Sequence, residues 1–339
     1  MRLFSKIRLQ NIIRKIQSTR ILVIGDVMLD QFIWGKVSRI SPEAPVPVVH
    51  VTSESSYPGG ASNVARSLAD FSVTTSIAGV IGQDTGGNEL LDILHKSNIQ
   101  SDLLQIERDY ATIKKTRIVA RQQQVVRVDR EEKLQLSPEK EEKFLNAIED
   151  KIDSFDAIIL EDYGKGLFTQ SIADALIKLA NQHSKIITVD PNPNNPLSWR
   201  GATLIKPNRI EAYSAAGHPL AEDEESLVKV GSMLLDLWQM DHLLITLGEQ
   251  GMMLFHKSGK TYHTPTRARE VFDVSGAGDT AIAFLTASIA AGLKLEEAAE
   301  ISNHAAGVVV AKLGTATLMP EELIEHILDE EVSNQKKRR

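Results

Sequence analysis

Short, uninterrupted apolar runs alternate along this chain with longer stretches whose apolar residues recur every three to four positions. Ile21-Leu-Val-Ile24 ends in Gly25-Asp26, Ala157-Ile-Ile-Leu160 in Glu161-Asp162, and Ile186-Ile-Thr-Val189 in Asp190-Pro191, while Leu243-Leu-Ile-Thr246 runs into Leu247-Gly248. A strand buried on both faces reads as such a run, and the polar or glycine residue after it marks a turn. Between the runs, residues 139–152, 171–182 and 225–237 carry helical periodicity. Strand–helix alternation predicts an α/β fold with a mostly parallel central sheet and helices on both faces. Ligands of such sheets bind at the carboxyl ends of the strands, where Asp26, Asp30, Glu161, Asp162, Asp190 and Gly248 fall.

Two segments depart from the pattern. Residues 32–51 alternate apolar and polar positions around Pro42, Pro45 and Pro47, and residues 112–129 mix β-branched residues with Lys114, Lys115, Arg117, Arg121 and Arg127. Both predict exposed strands of a small β-sheet lid over the site. Even spacing places Lys115, Arg117, Arg121 and Arg127 on one face of a regular strand. Residues 1–20 are basic and weakly amphipathic and predict a short helix packed on the domain. Residues 1–330 read as one catalytic unit, and 331–339 as a basic, disordered tail.

Composition narrows the function classes. The chain has 339 residues, 42% hydrophobic and 24% charged, enough for a core that needs no staples. It has no cysteine, which removes disulfides, thiolate chemistry and cysteine-bound zinc. A net charge of −7 without a basic stripe argues against a nucleic-acid partner. No apolar run is long enough for a bilayer, so a cytoplasmic enzyme without a membrane partner is the expectation. The nine histidines show no metal-ligand spacing.

The strongest chemical signal is Asp273-Val-Ser-Gly-Ala-Gly-Asp279, which opens an apolar helical stretch over 281–291. Small residues at a helix start let the amides of Ala277, Gly278 and Asp279 face one anion. A carboxylate at that place makes no phosphate ligand, but it suits a general base that takes a proton from an attacking hydroxyl. Aspartate there also serves as a helix cap. Gly59-Gly60-Ala-Ser-Asn63 opens another helix, with glycines that admit a sugar to the backbone and an amide that both donates and accepts. It is equally a plausible turn and cap.

Taken in order, Gly25…Asp30, Gly59-Gly60-x-x-Asn63, Asn208-x-x-Glu211 and Asp273-x-x-Gly-Ala-Gly-Asp279 resemble the ribokinase (PfkB) family of carbohydrate kinases. Within it, Gly25-Asp-Val-Met-Leu-Asp30, Ser38-Arg-Ile-Ser-Pro-Glu-Ala-Pro-Val-Pro-Val48 and Gly307-Val-Val-Val-Ala-Lys-Leu-Gly-Thr315 resemble the D-glycero-β-D-manno-heptose 7-phosphate kinases. The resemblance implies phosphorylation of the anomeric hydroxyl by ATP with Mg²⁺, giving the 1,7-bisphosphate for ADP-heptose and the lipopolysaccharide core. Asp279 is then the base, and the Gly276-Ala277-Gly278 amides are the anion hole. Asp30, Gly59, Gly60 and Asn63 hold the sugar, with Asp273 beside them. Asn208, Arg209, Ile210 and Glu211 lie near the ATP phosphates and magnesium, with no residue assigned as a direct ligand. Thr246, Gly248 and Gly251 line the nucleotide, and Asn303 and Val308 lie near adenine. Ser275 stands where the family more often has Thr, and keeps the hydroxyl.

A sugar phosphate brings about two negative charges. Lys115, Arg117, Arg121 and Lys165 are the cations expected to meet it, although charge on an edge strand also serves to keep it solvated. Exposed lid strands predict a homodimer. No His-x-Gly-His element follows the kinase motifs, so the expectation is a stand-alone kinase, with a separate phosphatase and adenylyltransferase acting downstream. A kinase of another sugar, such as fructose or ribose, and a non-catalytic sugar-phosphate sensor are the alternatives.

Overall fold

The first buried strand sets the layering, because its side chains alternate between two cores. A computed structural model describes residues 5–120, 123–268, 270–312, 314 and 316–337. Its first part runs α1 (Lys6–Gln17), β1 (Arg20–Gly25), β2 (Val27–Ile40), β3 (Pro47–Gly60), α2 (Ala61–Asp70), β4 (Thr74–Gly82), α3 (Thr85–Lys96) and β5 (Gln100–Glu107). β6 (Ile113–Ala120), β7 (Gln123–Arg130), α4 (Pro138–Glu149), β8 (Ala157–Glu161), α5 (Gln170–Gln182), β9 (Ile186–Asp190), β10 (Leu204–Ile205) and α6 (Arg209–Ala215) follow. The chain continues through α7 (Glu224–Leu237), β11 (His242–Thr246), β12 (Met252–His256), β13 (Thr261–Thr264), α8 (Ala277–Ala290), α9 (Leu295–Val309) and α10 (Pro320–Lys337).

Nine strands form one sheet in the order β13-β12-β11-β10-β9-β8-β1-β4-β5. It is parallel from β11 to β5, and β12 and β13 add an antiparallel edge. Ile21 and Val23 of β1 point into a core built with α1, α2, α8, α9 and α10, whereas Leu22 and Ile24 point into one built with α4, α5 and α7. Each fully buried Leu, Ile or Phe contributes about 1.5–3 kcal/mol, so these two layers carry most of the stability.

α8 lies inside the first layer. Residues Thr280 through Ser288 are all buried, and Phe284 meets Phe71 edge-on at 4.7 Å. A helix apolar on every side must be enclosed on every side. The head of α8 is thereby fixed relative to the sheet.

The second sheet has the order β3-β2-β6-β7, with β2 and β6 parallel and the other pairs antiparallel. The two segments expected as exposed lid strands each contain a pair of antiparallel strands. Pro42 and Pro45 fall in the turn between β2 and β3, where missing amide donors cost nothing, and Pro47 opens β3. Both long strands also begin deeper than their alternation shows, because Val27–Asp30 and Gly59–Gly60 are buried and show no polar face. α10 takes in residues 331–337, which had been expected to leave the helix as a tail. No helix among the described residues is long and apolar enough to cross a membrane.

Candidate active site

The head of α8 is shaped by glycine. Gly276 caps the helix at φ 77°, a left-handed conformation that disfavours any side chain. Ala277 donates to the Val274 carbonyl at 3.2 Å, so the anion hole is narrower than expected from three consecutive small residues. The amides of Gly278 and Asp279 are the second and third of α8, among those a helix leaves without an intrahelical acceptor and so available to an anion. Asp273 holds the approach to this turn: its two oxygens accept the amides of Ser275 (2.9 Å) and Gly314 (3.2 Å). Burial opposes its ionisation, yet those amides and the Arg117 charge hold the carboxyl below its usual range. Asp273 therefore orders the loop through both of its oxygens.

Asp279 is half-buried on the third residue of α8. Asn63 Nδ2 donates to Oδ2 at 2.6 Å, and the Tyr163 hydroxyl donates to Oδ1 at 2.9 Å. Burial pushes the carboxyl up from its ordinary value, while Asn63, Tyr163 and the Lys206 charge pull it back. A fixed carboxylate with a raised proton affinity has the character of a general base.

The floor beside the base comes from β2, β3 and α2. Asp30 is buried, pairs in register with Tyr57 of β3 and Lys115 of β6, and accepts from Arg117 Nη1. A Cβ on Gly59 would stand 2.4 Å from Asp30 Oδ2, and one on Gly60 would stand 2.4 Å from the Asp26 carbonyl. Both glycines are thus required by close approach, and Gly60 also by its φ of 58°.

The cations group differently from expectation. Lys115 and Arg117 share one face of β6, but a register shift follows at Ile118/Val119 and the chain turns back, placing Arg127 opposite Arg117 on β7. Arg127 is tied to Asp129 at 2.9 Å. Arg117 also lies over the Phe32 ring, 5.3 Å from its centroid. Lys165 pairs with Glu131 at 2.9 Å. Burial and the neighbouring Lys165 charge push the Lys115 ammonium down, while Glu131, Asp30 and Asp129 act in the other direction. Arg121 lies outside the described residues.

On the other side of the α8 head is a cleft of about 560 Å³, lined by Thr246, Gly248, Gly251, Ala277, Gly278 and Asn303 among others. Its size suits a nucleotide. Asn303 walls it, yet its amide is engaged by the Thr264 and Pro265 carbonyls and the Thr264 hydroxyl. Asn208 caps α6 in a capping box with Glu211, and a bridge from Asn208 to Thr246 brings this box to the cleft. Arg209 and Ile210 do not line it. Successive helical residues diverge by about 100°, so Arg209 turns to the Ala221 carbonyl and Gln250, and Ile210 is 67% exposed.

Glu211 has one oxygen engaged by the Asn208 amide at 2.7 Å, and burial pushes its carboxyl up. Among the described residues no three acids or histidines converge as a metal cage. A magnesium ion carried on nucleotide phosphates and water needs few protein oxygens, and Glu211 has one outside its capping box to offer.

Two site residues escaped the sequence reading. Lys206 is buried, with Nζ 2.8 Å from Asp190 Oδ2 and 3.7 Å from where a Gly278 side chain would begin. Burial alone would discharge it, but Asp190, Glu161 and Glu211 keep it protonated beneath the α8 amides. A lysine closing an apolar strand just before Pro207 was the available signal. Tyr163 lies between two residues that were noticed, Asp162 and Lys165.

Residues 18–322 match the model of the pfkB family carbohydrate kinases. The chain is 42% identical over 319 residues to the bifunctional protein HldE of Pelobacter propionicus, covering 94% of this chain and 65% of that protein. The HldE of Trichlorobacter lovleyi is 41% identical, with 93% and 64% covered. The chain thus spans a little under two thirds of these relatives. Among solved structures, Arabidopsis thaliana ribokinase complexed with ribose and ATP superposes with TM-score 0.71 at 17% identity, covering 91% of this chain and 98% of that one. Escherichia coli phosphofructokinase-2 in complex with potassium gives 0.73 at 17%, covering 92% and 99%. The fold is therefore ribokinase-like, with the small sheet as its lid, and a carboxylate heading a buried helix between a sugar floor and a nucleotide-sized cleft is what such an enzyme requires: the chain belongs to the pfkB family of carbohydrate kinases.

Proposed function

We propose that this kinase transfers the γ-phosphoryl group of ATP to the anomeric hydroxyl of D-glycero-β-D-manno-heptose 7-phosphate. The observation that carries the reading is the Asp279 carboxylate, fixed by Asn63 and Tyr163 on the sugar side of the α8 head. Asp279 takes the proton of the attacking hydroxyl, and the Gly278 and Asp279 amides, with Lys206 beneath them, meet the charge growing on the phosphoryl group. ATP occupies the cleft bounded by Thr246, Gly248, Gly251 and Asn303. Magnesium near Glu211, when bound with ATP, supplies positive charge to its phosphates. Lys115 and Lys165 favour a substrate that brings its own phosphate, because their mutual repulsion is relieved by an anion between them. The choice of a heptose rests on the resemblance of residues 25–30, 38–48 and 307–315 to the heptose 7-phosphate kinases.

In this reading the product is the 1,7-bisphosphate, made in the cytoplasm, and later phosphatase and adenylyltransferase steps use other active sites. Two copies associate through the small sheet, where Ile40, Val126 and Val128 are exposed. Turnover on heptose 7-phosphate, the unphosphorylated heptose, fructose and ribose tests the assignment. Preference for the phosphorylated heptose by roughly 10² or more is expected, and loss of that preference in Lys115→Met or Lys165→Met. Faster turnover of fructose or ribose would assign the enzyme to another sugar.

A further inference from the structure

The loop from Asp162 to Leu167 joins the base to the cation cluster, and its construction is out of proportion to a simple connection. Asp26, 5% exposed, accepts the backbone amides of Tyr163 and Lys165 on Oδ2, both at 3.0 Å, and that of Leu167 on Oδ1 at 3.3 Å. Asp162 accepts the Gly164 amide at 2.7 Å on one oxygen and the Asn195 side-chain amide at 2.9 Å on the other. Gly164 and Gly166 take φ of 67° and 105°, and a Cβ on Gly166 would lie 2.3 Å from the Leu134 carbonyl. Two buried carboxylates and two left-handed glycines fix one conformation. Its output is the Tyr163 hydroxyl, 2.9 Å from Asp279 Oδ1.

We propose that Tyr163 is a positioning residue for the base: its phenol holds one oxygen of Asp279, opposite the Asn63 amide, and Asp26 fixes the loop that presents it. This rests on the reading of Asp279 as the base. A carboxylate turns easily about its terminal bond, and two donors on different oxygens stop that rotation. Each oxygen keeps a second lone pair, one of which can receive the proton of the substrate hydroxyl. The same loop carries Lys165, so whatever orders it sets the base and a phosphate-side cation together.

The electrostatic setting gives the phenol a second task. Asp279 is faced by Asp30 from β2, Glu161 at the end of β8 and Asp190 at the end of β9, against the single ammonium of Lys206 after β10. Burial and the Asp279 charge push the Tyr163 hydroxyl well up, so it remains a donor at every working pH. A donor that never ionises lowers the proton affinity of the base without adding charge.

The test is the Tyr163→Phe enzyme, which keeps the ring and loses only the hydroxyl. Its kcat should fall about tenfold, with the sugar-phosphate KM within about twofold. The acid limb of kcat/KM against pH should move to higher pH, since an acceptor stripped of a donor holds its proton more tightly. In the Asp279→Asn background the same substitution should cost little more, because the phenol acts through that carboxylate. If the acid limb of Tyr163→Phe overlies the parent's while Asp279→Asn is crippled, Tyr163 is structural and this inference fails alone. If Asp279→Asn turns over normally, the base assignment fails and takes this inference with it.

Discussion

Replacing Asp279 by Asn separates the structural and catalytic roles of this residue. The new side chain keeps one oxygen for the Tyr163 hydroxyl but presents an amide where Oδ2 accepts from Asn63 Nδ2. That clash is removed by a flip of the Asn63 amide, whose Oδ1 is buried with no hydrogen-bond partner. Both contacts are then recovered, and a negative charge disappears from a site that already holds Asp30, Glu161 and Asp190. Unfolding stability should therefore stay within about 1 kcal/mol of the parent, or rise. Proton abstraction cannot be recovered by an amide. The loss of a general base is worth roughly 10²–10⁴ in kcat, about 3–5 kcal/mol of barrier. ADP release in a coupled assay reads kcat, and calorimetry reads sugar-phosphate affinity, which should change by less than about threefold. A variant within tenfold of the parent kcat would show that Asp279 is not the base.

Three further substitutions probe the frame. Gly276→Ala places a Cβ on a φ of 77° residue, 3.1 Å from Asn63 Nδ2; roughly 1–2 kcal/mol of stability should be lost, with a fall in kcat that unchanged turnover would refute. Gly59→Ala would force its methyl to within 2.4 Å of Asp30 Oδ2, so the sugar KM should rise about tenfold or more while the ATP KM holds; equal changes in both would show a general distortion. Burial pushes Asp162 up to about 7 from 3.8, against the pull of the Gly164 amide. The folded state thus binds this proton more tightly than the unfolded chain, and the resulting stability is complete below about 4 and lost as pH rises through about 7. Asp162→Asn should flatten that part of the stability–pH curve, and parallel curves for the two proteins would contradict the assignment.

The legible parts of the fold are those where burial is complete on both faces. Residues 21–24, 157–160, 186–189 and 243–246 are apolar apart from Thr188 and Thr246, and all four runs lie in the central sheet. β4 and β5 were not read, although Thr74–Gly82 is almost wholly buried, because Thr75, Ser76 and two glycines interrupt its apolar signal. The hairpins of the small sheet were hidden by the same rule in reverse, since their inner ends lack the alternation that marks the outer ends. At the site, residues announced by glycine were visible: Gly59, Gly60, Gly276 and the side chains beside them. Tyr163 on Asp279, and Lys206 on Asp190, come to the site from strand ends far apart in sequence, and no local spacing encodes that meeting.

β2 and β3 are each 14 residues long, about 46 Å when extended, and the residues at their inner ends are Asp30, Gly59 and Gly60. Cover and pocket are consequently two stretches of the same ribbons and cannot be engineered as interchangeable modules. Grafting a foreign lid would re-register the ladder that pairs Asp30 with Tyr57 and Met28 with Gly59, whereas changes confined beyond the offsets at Trp34/Gly35 and Val37/Arg39 would leave that pairing intact.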